Sequence, residues 1–289
     1  MNRDHPSLEG QRVLITGAAR GIGALLARRL HERGARVALL GLEPEHLAEV
    51  SAACANAPWY ECDVTDRMQV DAAVAEAVGE LGGLDVAVAN AGIGAQMPLI
   101  GGNPGVFDAT MAVNVTGTYN LIRAAGPHVS RPGGYVLLTA SLAAAVHLPL
   151  MAPYCASKAA VQALGNALRI ELSPSGARVG IAYYAELDTE MTSRGFSTKA
   201  ASRMPIGGRG RLPVAPVGPA IDALEQGIRK RSRRIVSPRW VAVALALGAV
   251  VRRGLERGAG HLGLAETLEI ARSEDVELTT VQPGRGRTS

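Results

Sequence analysis

Aromatic residues and cysteines are scarce in this chain. Phe, Trp and Tyr make up only 3% of the 289 residues, although hydrophobic residues make up 47%. A large core is therefore possible, but it must be built mainly from Ala, Val, Leu and Ile. The three cysteines, Cys54, Cys62 and Cys155, form no CxxC pair and leave one over. This pattern argues against a disulfide framework and for a reducing compartment.

Long apolar runs and a strong charge bias are also missing. No stretch offers the roughly 18 uncharged apolar residues that a membrane-spanning helix needs. The polar start, Met1 to Gln11, carries no apolar signal segment. The net charge is only +4, and basic residues concentrate late in the chain, so the total does not indicate nucleic-acid binding. We expect a cytoplasmic protein without a metal site.

Strand and helix patterns alternate over the first 190 or so residues. The apolar run Arg12–Thr16 predicts a first strand, and the sixth predicted strand is Arg178–Ala182. Such alternation is typical of an α/β fold, here a Rossmann-like doubly wound parallel sheet with helices on both faces. We predict an N-terminal tail at 1–10, a nucleotide-binding catalytic domain at 11–240 and a C-terminal helical extension at 241–289.

Two of the predicted helices carry polar residues of interest. Thr65 is the predicted N-cap of the helix Asp66–Glu80. A long helical region, Pro104–His128, carries Asn114 near its middle. Taken alone, Asn114 is more simply a polar residue that bends its helix than part of a site.

A glycine-rich turn separates the first strand from the first helix, predicted at Ala24–Glu32. It reads Gly17-Ala18-Ala19-Arg20-Gly21-Ile22-Gly23. Glycines between a strand and a helix let the backbone approach a pyrophosphate, which the helix N-terminus then binds. The spacing is GxxxGxG rather than GxGxxG, so an ordinary turn between strand and helix is the alternative.

Tyr154 and Lys158 lie four residues apart in the helix predicted at Ala152–Leu172. Residues at i and i+4 share one helix face, so the phenol and the ammonium can reach the same pocket. A nearby cation favours the phenolate and is expected to lower the tyrosine pKa, which would allow proton exchange with an alcohol or a carbonyl. Taken alone, the pair is more simply explained as two surface residues.

Together, these patterns resemble the short-chain dehydrogenase/reductase family over residues 10–192. The signatures come in the family's order: the glycine-rich turn, Asp63-Val64, Asn90-Ala91-Gly92, Asn114, Ser141 and the pair Tyr154 and Lys158. The resemblance implies NAD(P)-dependent interconversion of a secondary alcohol and its ketone by hydride transfer, and a homodimer or homotetramer paired through its fourth and fifth long helices. We favour the dimer, because the tail could block the further contacts of a tetramer.

The resemblance also implies a role for each catalytic residue. Tyr154 would be the general acid/base, and Lys158 would lower its pKa and hold the nicotinamide ribose. Ser141 would hydrogen-bond the substrate oxygen, and Asn114 would hold a water that relays the proton. The implied cofactor contacts are Gly17, Gly21, Ile22 and Gly23 at the pyrophosphate, Asp63 and Val64 at the adenine, Asn90, Ala91 and Gly92 beside the nicotinamide, and Thr189 at its carboxamide.

The end of the second predicted strand decides between NAD and NADP in this family. Gly41 stands where NAD enzymes often have aspartate, and Leu42 where NADP enzymes often have arginine. Glu43 could reach the ribose and would repel a 2′-phosphate, whereas Arg20 could bind that phosphate. We expect NAD to be preferred, with NADP as the alternative.

The expected substrate pocket is mostly apolar, which suggests a hydrophobic alcohol or ketone. Its expected residues are Leu142, Ala143, His147, Leu148, Met151, Leu187, Met191 and Phe196. The chain departs from the family at Tyr184-Ala185, where Pro-Gly is usual. The Gly- and Pro-rich stretch 192–219 is a candidate substrate lid.

The late part of the chain permits two interpretations. A basic cluster runs from Arg229 to Arg239, and Trp240 then opens the apolar run Val241 to Val251. Such a segment could lie on an anionic membrane surface, or it could pack on its own domain. The tail and the altered Tyr184-Ala185 also leave open a second function class, a non-catalytic NAD(P)-binding module for redox sensing or membrane-surface interaction.

Overall fold

The computed structural model describes residues 7–189, 191, 198–203, 214–259, 263–276 and 278–280. Within this part of the chain a seven-stranded parallel sheet has the order β3-β2-β1-β4-β5-β6-β7. The strands are β1 Arg12–Thr16, β2 Arg36–Gly41, β3 Trp59–Glu61, β4 Val86–Ala89, β5 Tyr135–Thr139, β6 Arg178–Tyr184 and β7 Arg234–Ser237. The predicted doubly wound fold is confirmed.

Helices cover both faces of the sheet. The described helices are α1 Gly21–Glu32, α2 Pro44–Ala52, α3 Arg67–Leu81, α4 Pro104–Met111, α5 Gly117–Val129, α6 Ala152–Glu171, α7 Lys199–Ser202, α8 Gly218–Lys230, α9 Val241–Ala246, α10 Gly248–Gly258 and α11 Leu264–Ser273. None of these helices is both long and apolar enough to cross a membrane.

The core lies in two layers, one on each face of the sheet. One layer contains residues of α1, α2 and α8, such as Leu26, Leu47 and Ile228, and the other contains residues of α3, α5 and α6, such as Val74 and Val161. Because both faces are covered, the central strands are apolar on both sides and read as continuous apolar runs. Aliphatic side chains fill most of both layers, as the shortage of aromatic residues predicts.

Three local predictions need correction. Asp66, not Thr65, is the N-cap of α3, because its carboxylate accepts hydrogen bonds from the backbone N–H groups of Met68 and Gln69. The predicted helix Pro104–His128 is two α-helices joined by a π-helical turn, Ala112–Thr116. The strand β7 was not predicted at all.

The C-terminal extension packs back onto the domain that contains the sheet. The Thr279 hydroxyl accepts a hydrogen bond from the backbone N–H of Gly94 (3.1 Å), and the Thr279 backbone N–H donates to the Gly94 carbonyl (3.2 Å). Glu274 accepts hydrogen bonds from the first two N–H groups of α7. Residues 263–276 and the described part of the candidate lid are therefore held together.

Candidate active site

A cavity of about 550 Å³ opens at the carboxyl ends of the strands. Ligands of open α/β sheets bind where the strand order reverses, which here is between β1 and β4. The cavity lining includes most of the expected cofactor residues: Gly17, Arg20, Gly21, Ile22, Glu43, Asp63, Val64, Asn90, Ala91, Gly92, Tyr154, Lys158 and Thr189. The sequence-predicted cofactor cleft thus forms one continuous surface.

The glycine turn has the geometry that an anion site requires. Gly17 and Gly21 have φ angles of +64° and +52°, and a Cβ at Gly21 would meet no atom within 4 Å. The N-terminus of α1 has no side-chain cap and no acidic residue in its first turn. Its free N–H groups and helix dipole suit a pyrophosphate. The turn therefore fits the phosphates of a dinucleotide.

Gly23 has a different position from the other two glycines. It does not line the cavity, and a Cβ there would lie 2.1 Å from the Gly17 carbonyl oxygen. Gly17 in turn packs against the backbone of Ala91, where a Cβ would come within 2.8 Å. Gly23 therefore keeps α1 close beneath the turn, and its expected contact with the cofactor stays a prediction.

The far end of the cleft contains an ion pair. A guanidinium nitrogen of Arg20 lies 2.8 Å from a carboxylate oxygen of Glu43, and both side chains are partly exposed. Nearby, the Asn120 amide donates to the carbonyl of Val64 (2.9 Å) and holds the end of β3 in place. The sequence predicted opposing effects of Arg20 and Glu43 on a 2′-phosphate, whereas the two residues neutralise each other here.

Tyr154, Ser141 and Lys158 meet at the centre of the cavity. The side chains of Tyr154 and Ser141 are hydrogen-bonded to each other, and Lys158 Nζ lies 5.5 Å from the centre of the Tyr154 ring. Lys158 is buried and donates to the Thr139 carbonyl at the end of β5 (2.9 Å). Tyr154 and Lys158 both lie on α6, which packs against β5. Their i and i+4 spacing on this helix brings the two side chains to one point.

The ionisation of this pair differs from the expectation. Burial raises the pKa of Tyr154 to about 12, although the hydrogen bond with Ser141 lowers it in part. Burial also lowers the pKa of Lys158 to about 8. A buried amine and a buried phenol both disfavour their charged forms. In the protein without cofactor, burial therefore outweighs the predicted lowering of the tyrosine pKa by Lys158.

Asn114 lies close to the backbone of Tyr154 and does not line the cavity. Its amide donates to the Ile93 carbonyl and to the Ser157 hydroxyl, each at 2.9 Å, and its Oδ1 accepts from Ile93 N–H (2.8 Å). A Cβ on Gly92 would lie 3.3 Å from both Asn114 Oδ1 and Lys158 Nζ. Asn114 and Lys158 therefore approach the same glycine, and the π-turn is the local change that presents Asn114 there.

The substrate side of the cavity is mostly apolar. Of the expected pocket residues, Leu142, Ala143, Leu148, Met151, Leu187 and Met191 line it. His147 is exposed and outside the lining, where Val146 replaces it, and Phe196 lies outside the described residues. The Tyr184-Ala185 step also lines the cavity, and the strand β6 simply continues to Tyr184. A regular strand needs no Pro-Gly here, so the departure leaves the site intact.

The C-terminal extension contributes a wall that sequence reasoning missed. Its lining residues are Ala244, Val251, Leu255, Thr279 and Thr280, and Trp240 adjoins them just before the extension. The basic and apolar pattern of the segment suggested a membrane surface or helix packing, but no local signal placed it at the cavity. Among the described residues, no group of three His, Cys, Asp or Glu side chains is placed to hold a metal.

The fold and cleft define a nicotinamide-dinucleotide-binding oxidoreductase of the Rossmann type. A sequence model of the short chain dehydrogenase family matches residues 11–200. The chain therefore belongs to the short-chain dehydrogenase/reductase family, and it is an oxidoreductase acting on alcohol or carbonyl groups. The family resemblance seen in the sequence is confirmed.

Individual relatives agree with this assignment. D-threitol dehydrogenase of Mycolicibacterium smegmatis is 34% identical over 177 residues, which are 60% of this chain and 68% of that protein. The L-fucose dehydrogenase of Oryctolagus cuniculus is 36% identical over 171 residues, or 59% of this chain and 60% of that one. These alignments leave a large part of this chain unmatched.

Solved structures agree over more of the chain. A short-chain dehydrogenase from Burkholderia cenocepacia in complex with NADP superposes with a TM-score of 0.73 at 29% identity, covering 87% of this chain and 98% of that one. A Burkholderia phymatum family member in complex with NAD gives a TM-score of 0.74 over 87% of this chain and 96% of that one. At 22% identity, the latter likeness shows the fold alone.

Proposed function

We propose that this protein interconverts a hydrophobic secondary alcohol and its ketone, with Tyr154 as the general acid/base. The observation that carries the proposal is the meeting of Tyr154, Ser141 and Lys158 at one point of the cleft. Both relatives described above are named as dehydrogenases of hydroxyl-bearing compounds. This constellation favours a catalyst over a non-catalytic binding module, which needs no buried acid/base pair.

The roles of the side chains follow from their chemistry. When bound, the nicotinamide supplies the carbon that accepts or donates the hydride. Tyr154 takes the hydroxyl proton when the alcohol is oxidised and returns it when the ketone is reduced. Ser141 donates to the substrate oxygen and stabilises negative charge there. Lys158 holds the nicotinamide ribose and favours the phenolate once its ammonium is charged, and Asn114 positions the proton-relay water.

The cleft has one proposed place for each part of the cofactor. The turn with Gly17, Gly21 and Ile22 would hold the pyrophosphate, and Asp63 with Val64 would flank the adenine. The segment 90–92 and Thr189 would border the nicotinamide. Glu43, close to the ribose end, supports a preference for NAD over NADP, and its ion pair with Arg20 keeps that arginine from the 2′-phosphate position.

The substrate is proposed to be bulky and largely apolar. Aliphatic side chains such as Leu142, Leu187 and Leu255 dominate the wall beyond Tyr154. The described parts of 192–219 fit a lid, because Thr198 donates a hydrogen bond to Gln96 (3.0 Å) and α7 packs on α11. The lid and the extension would shield the reacting atoms from water.

Two surfaces suggest interactions outside the cleft. The outer face of α6 carries exposed small residues and ends at Ile170, whose side chain is 77% exposed, which supports a homodimer through α5 and α6. Separately, an apolar stripe of exposed residues runs along α9 and α10 beside the cavity wall. We propose that this stripe, Trp240, Val243, Leu247 and Val250, contacts an anionic membrane surface.

The experiment that tests the proposed reaction is reduction of NAD by a panel of secondary alcohols. The Tyr154→Phe variant removes only the transferable proton, so turnover should fall by about a thousandfold, within the range for general acid/base catalysis. Its cofactor affinity, measured by calorimetry, should stay close to that of the unmodified protein. A variant that retains most of its kcat would rule out the assignment of Tyr154.

A further inference from the structure

Glu186 places a carboxylate in the apolar wall of the substrate pocket. Of the described residues that line the cavity, five are charged. Arg20, Glu43 and Asp63 follow the ends of β1, β2 and β3, and Lys158 lies beside the catalytic tyrosine. Glu186 follows β6 and is therefore the one described lining residue with a charge on the substrate side.

The backbone on both sides of Leu187 is hydrogen-bonded to Ala215. The Glu186 carbonyl accepts a hydrogen bond from Ala215 N–H (2.8 Å), and Asp188 N–H donates to the Ala215 carbonyl (2.9 Å). Between them, Leu187 is buried in the core layer that contains α8. Two backbone hydrogen bonds to Ala215 therefore hold the segment that presents Glu186 at the cavity.

The carboxylate is half-buried and has no compensating partner. Within the part of the chain that the structure describes, no side chain hydrogen-bonds to it or forms an ion pair with it, and burial raises the pKa of Glu186. Burying a polar group costs free energy unless something hydrogen-bonds to it. An apolar wall gains nothing from such a residue, whereas a ligand with a donor group would satisfy it.

We propose that Glu186 is a specificity-determining residue that accepts a hydrogen bond from a second polar group of the substrate, a hydroxyl or a protonated amine. The inference rests on the proposed function, because it places a second recognition point in the same pocket. The apolar residues hold the body of the substrate, Tyr154 and Ser141 meet the reacting oxygen, and Glu186 selects a donor on a different carbon.

Four matched alcohols test this assignment: cyclohexanol, trans-1,4-cyclohexanediol, trans-4-aminocyclohexanol and trans-4-hydroxycyclohexanecarboxylate. Each has the same reacting carbinol and a different second group. We expect kcat/KM for the diol or the amino alcohol to exceed that for cyclohexanol by about tenfold, the value of one hydrogen bond to a charged group. The carboxylate compound should be the poorest substrate, since like charges repel in a partly desolvated pocket.

The variant Glu186→Gln keeps the size and the acceptor oxygen but removes the charge. This variant should lose the preference for the amino alcohol and should oxidise the carboxylate compound more readily. Its preference for the diol should fall by a smaller factor. Asp188→Asn is the matched control, because Asp188 is exposed, lies two residues away and does not line the cavity. It should leave the relative kcat/KM values of the four alcohols unchanged, and neither variant should alter NAD affinity.

Each result decides a separate question. Equal kcat/KM values for the four alcohols, or ratios that Glu186→Gln leaves intact, would overturn the role of Glu186 and leave the reaction standing. If none of the four is oxidised, calorimetric titration of each compound into the NADH-loaded protein replaces the rate, and equal affinities for cyclohexanol and the amino alcohol would likewise overturn it. The proposed reaction is tested separately, by comparing the turnover of Tyr154→Phe with that of the unmodified protein on any alcohol that is oxidised.

Discussion

Lys158 Nζ lies 5.5 Å from the centre of the Tyr154 ring, with its ammonium hydrogen-bonded to the Thr139 carbonyl. The contact joins two residues of α6 to the end of β5, so the helix must be positioned correctly on the sheet for the pair to form. No carboxylate faces Lys158 among its described contacts, and burial lowers its pKa to about 8. The charge of this amine is therefore sensitive to pH near neutrality.

This sensitivity predicts that cofactor binding weakens in alkaline solution. Above pH 8 the ligand-free protein holds Lys158 mostly as the neutral amine, whereas the proposed contact with the ribose needs the ammonium. Binding must then take up a proton, so the Kd for NADH should rise by up to about tenfold per pH unit above 8. Calorimetric titration between pH 6 and 9.5 measures this effect.

Lys158→Met is the control for the pH dependence. It should bind NADH more weakly than the unmodified protein at neutral pH and show a much flatter profile, because the titrating group is gone. A Kd for the unmodified protein that stays constant from pH 7 to 9.5 would contradict the proposed role of Lys158.

The ion pair of Arg20 and Glu43 predicts how cofactor preference can be changed. Glu43→Gln removes the charge that would repel a 2′-phosphate and releases Arg20 from its partner. The Kd for NADP should fall by about tenfold, or about 1.4 kcal/mol, with a smaller effect on NAD. The double variant Arg20→Ala, Glu43→Gln should lose most of this gain. An unmodified protein that already binds NADP tenfold more tightly than NAD would show that Arg20 dominates.

Local sequence patterns predicted the centre of the fold well. The strand Arg12–Thr16 has the predicted bounds, because it is a short apolar run that ends at a glycine-rich turn. Tyr154 and Lys158 meet because a fixed helical spacing brings them to one face. These features depend on neighbours within a few residues, so a single sequence contains the information.

Features that depend on distant contacts were not predictable in this way. The strand β7 has only four residues within a basic stretch, and it is defined by its pairing with β6, some fifty residues earlier. Thr279 reaches the cleft through a pair of hydrogen bonds to Gly94, 185 residues away in the chain. The raised pKa of Tyr154 also has a non-local cause, since it follows from burial by surrounding elements rather than from the adjacent lysine.

The exposed faces of α5 and α6 predict a homodimer. Tyr119 on α5 and Ile170 on α6 are 46% and 77% exposed, so each helix presents a large side chain that a dimer contact would bury. Analytical ultracentrifugation at micromolar concentration should give twice the 30.0 kDa chain mass. Ile170→Glu should shift the protein towards monomer. Met68→Glu, at a side chain on α3 that is 81% exposed, should not. A monomer at every concentration of the unmodified protein would contradict the proposal.

The apolar stripe beside the pocket predicts binding to anionic membranes. Trp240, Val243, Leu247 and Val250 are 40%, 60%, 49% and 66% exposed and recur at helical spacing along α9 and α10. A tryptophan at the edge of an apolar surface favours the interface between water and lipid. Exposed Arg239 and Arg253 flank the stripe, and each basic residue near an anionic surface adds about 1 kcal/mol.

The structure narrows which basic residues can take part. Arg231 is buried, and its guanidinium donates to the carbonyls of Gly133 and Ile228 and to the side chain of Gln11. Arg229 and Arg233 lie before β7, at the amino end of the strand, whereas Trp240 follows its carboxyl end next to the cavity. Binding should therefore depend on the stripe with Arg239 and Arg253 rather than on the whole basic cluster.

Co-sedimentation with phosphatidylglycerol-rich liposomes at low and high salt tests this proposal. We expect pelleting at low salt that weakens at high salt, because exposed charges are screened. Truncation at Gly227 would be uninformative, since it also removes β7, which completes the sheet beside β6. The double variant Val243→Glu, Val250→Glu leaves that strand in place and should abolish pelleting, whereas Ile100→Glu, at a residue 80% exposed elsewhere, should not. If the unmodified protein stays in the supernatant at low salt, the stripe must be assigned to contact with another protein surface instead.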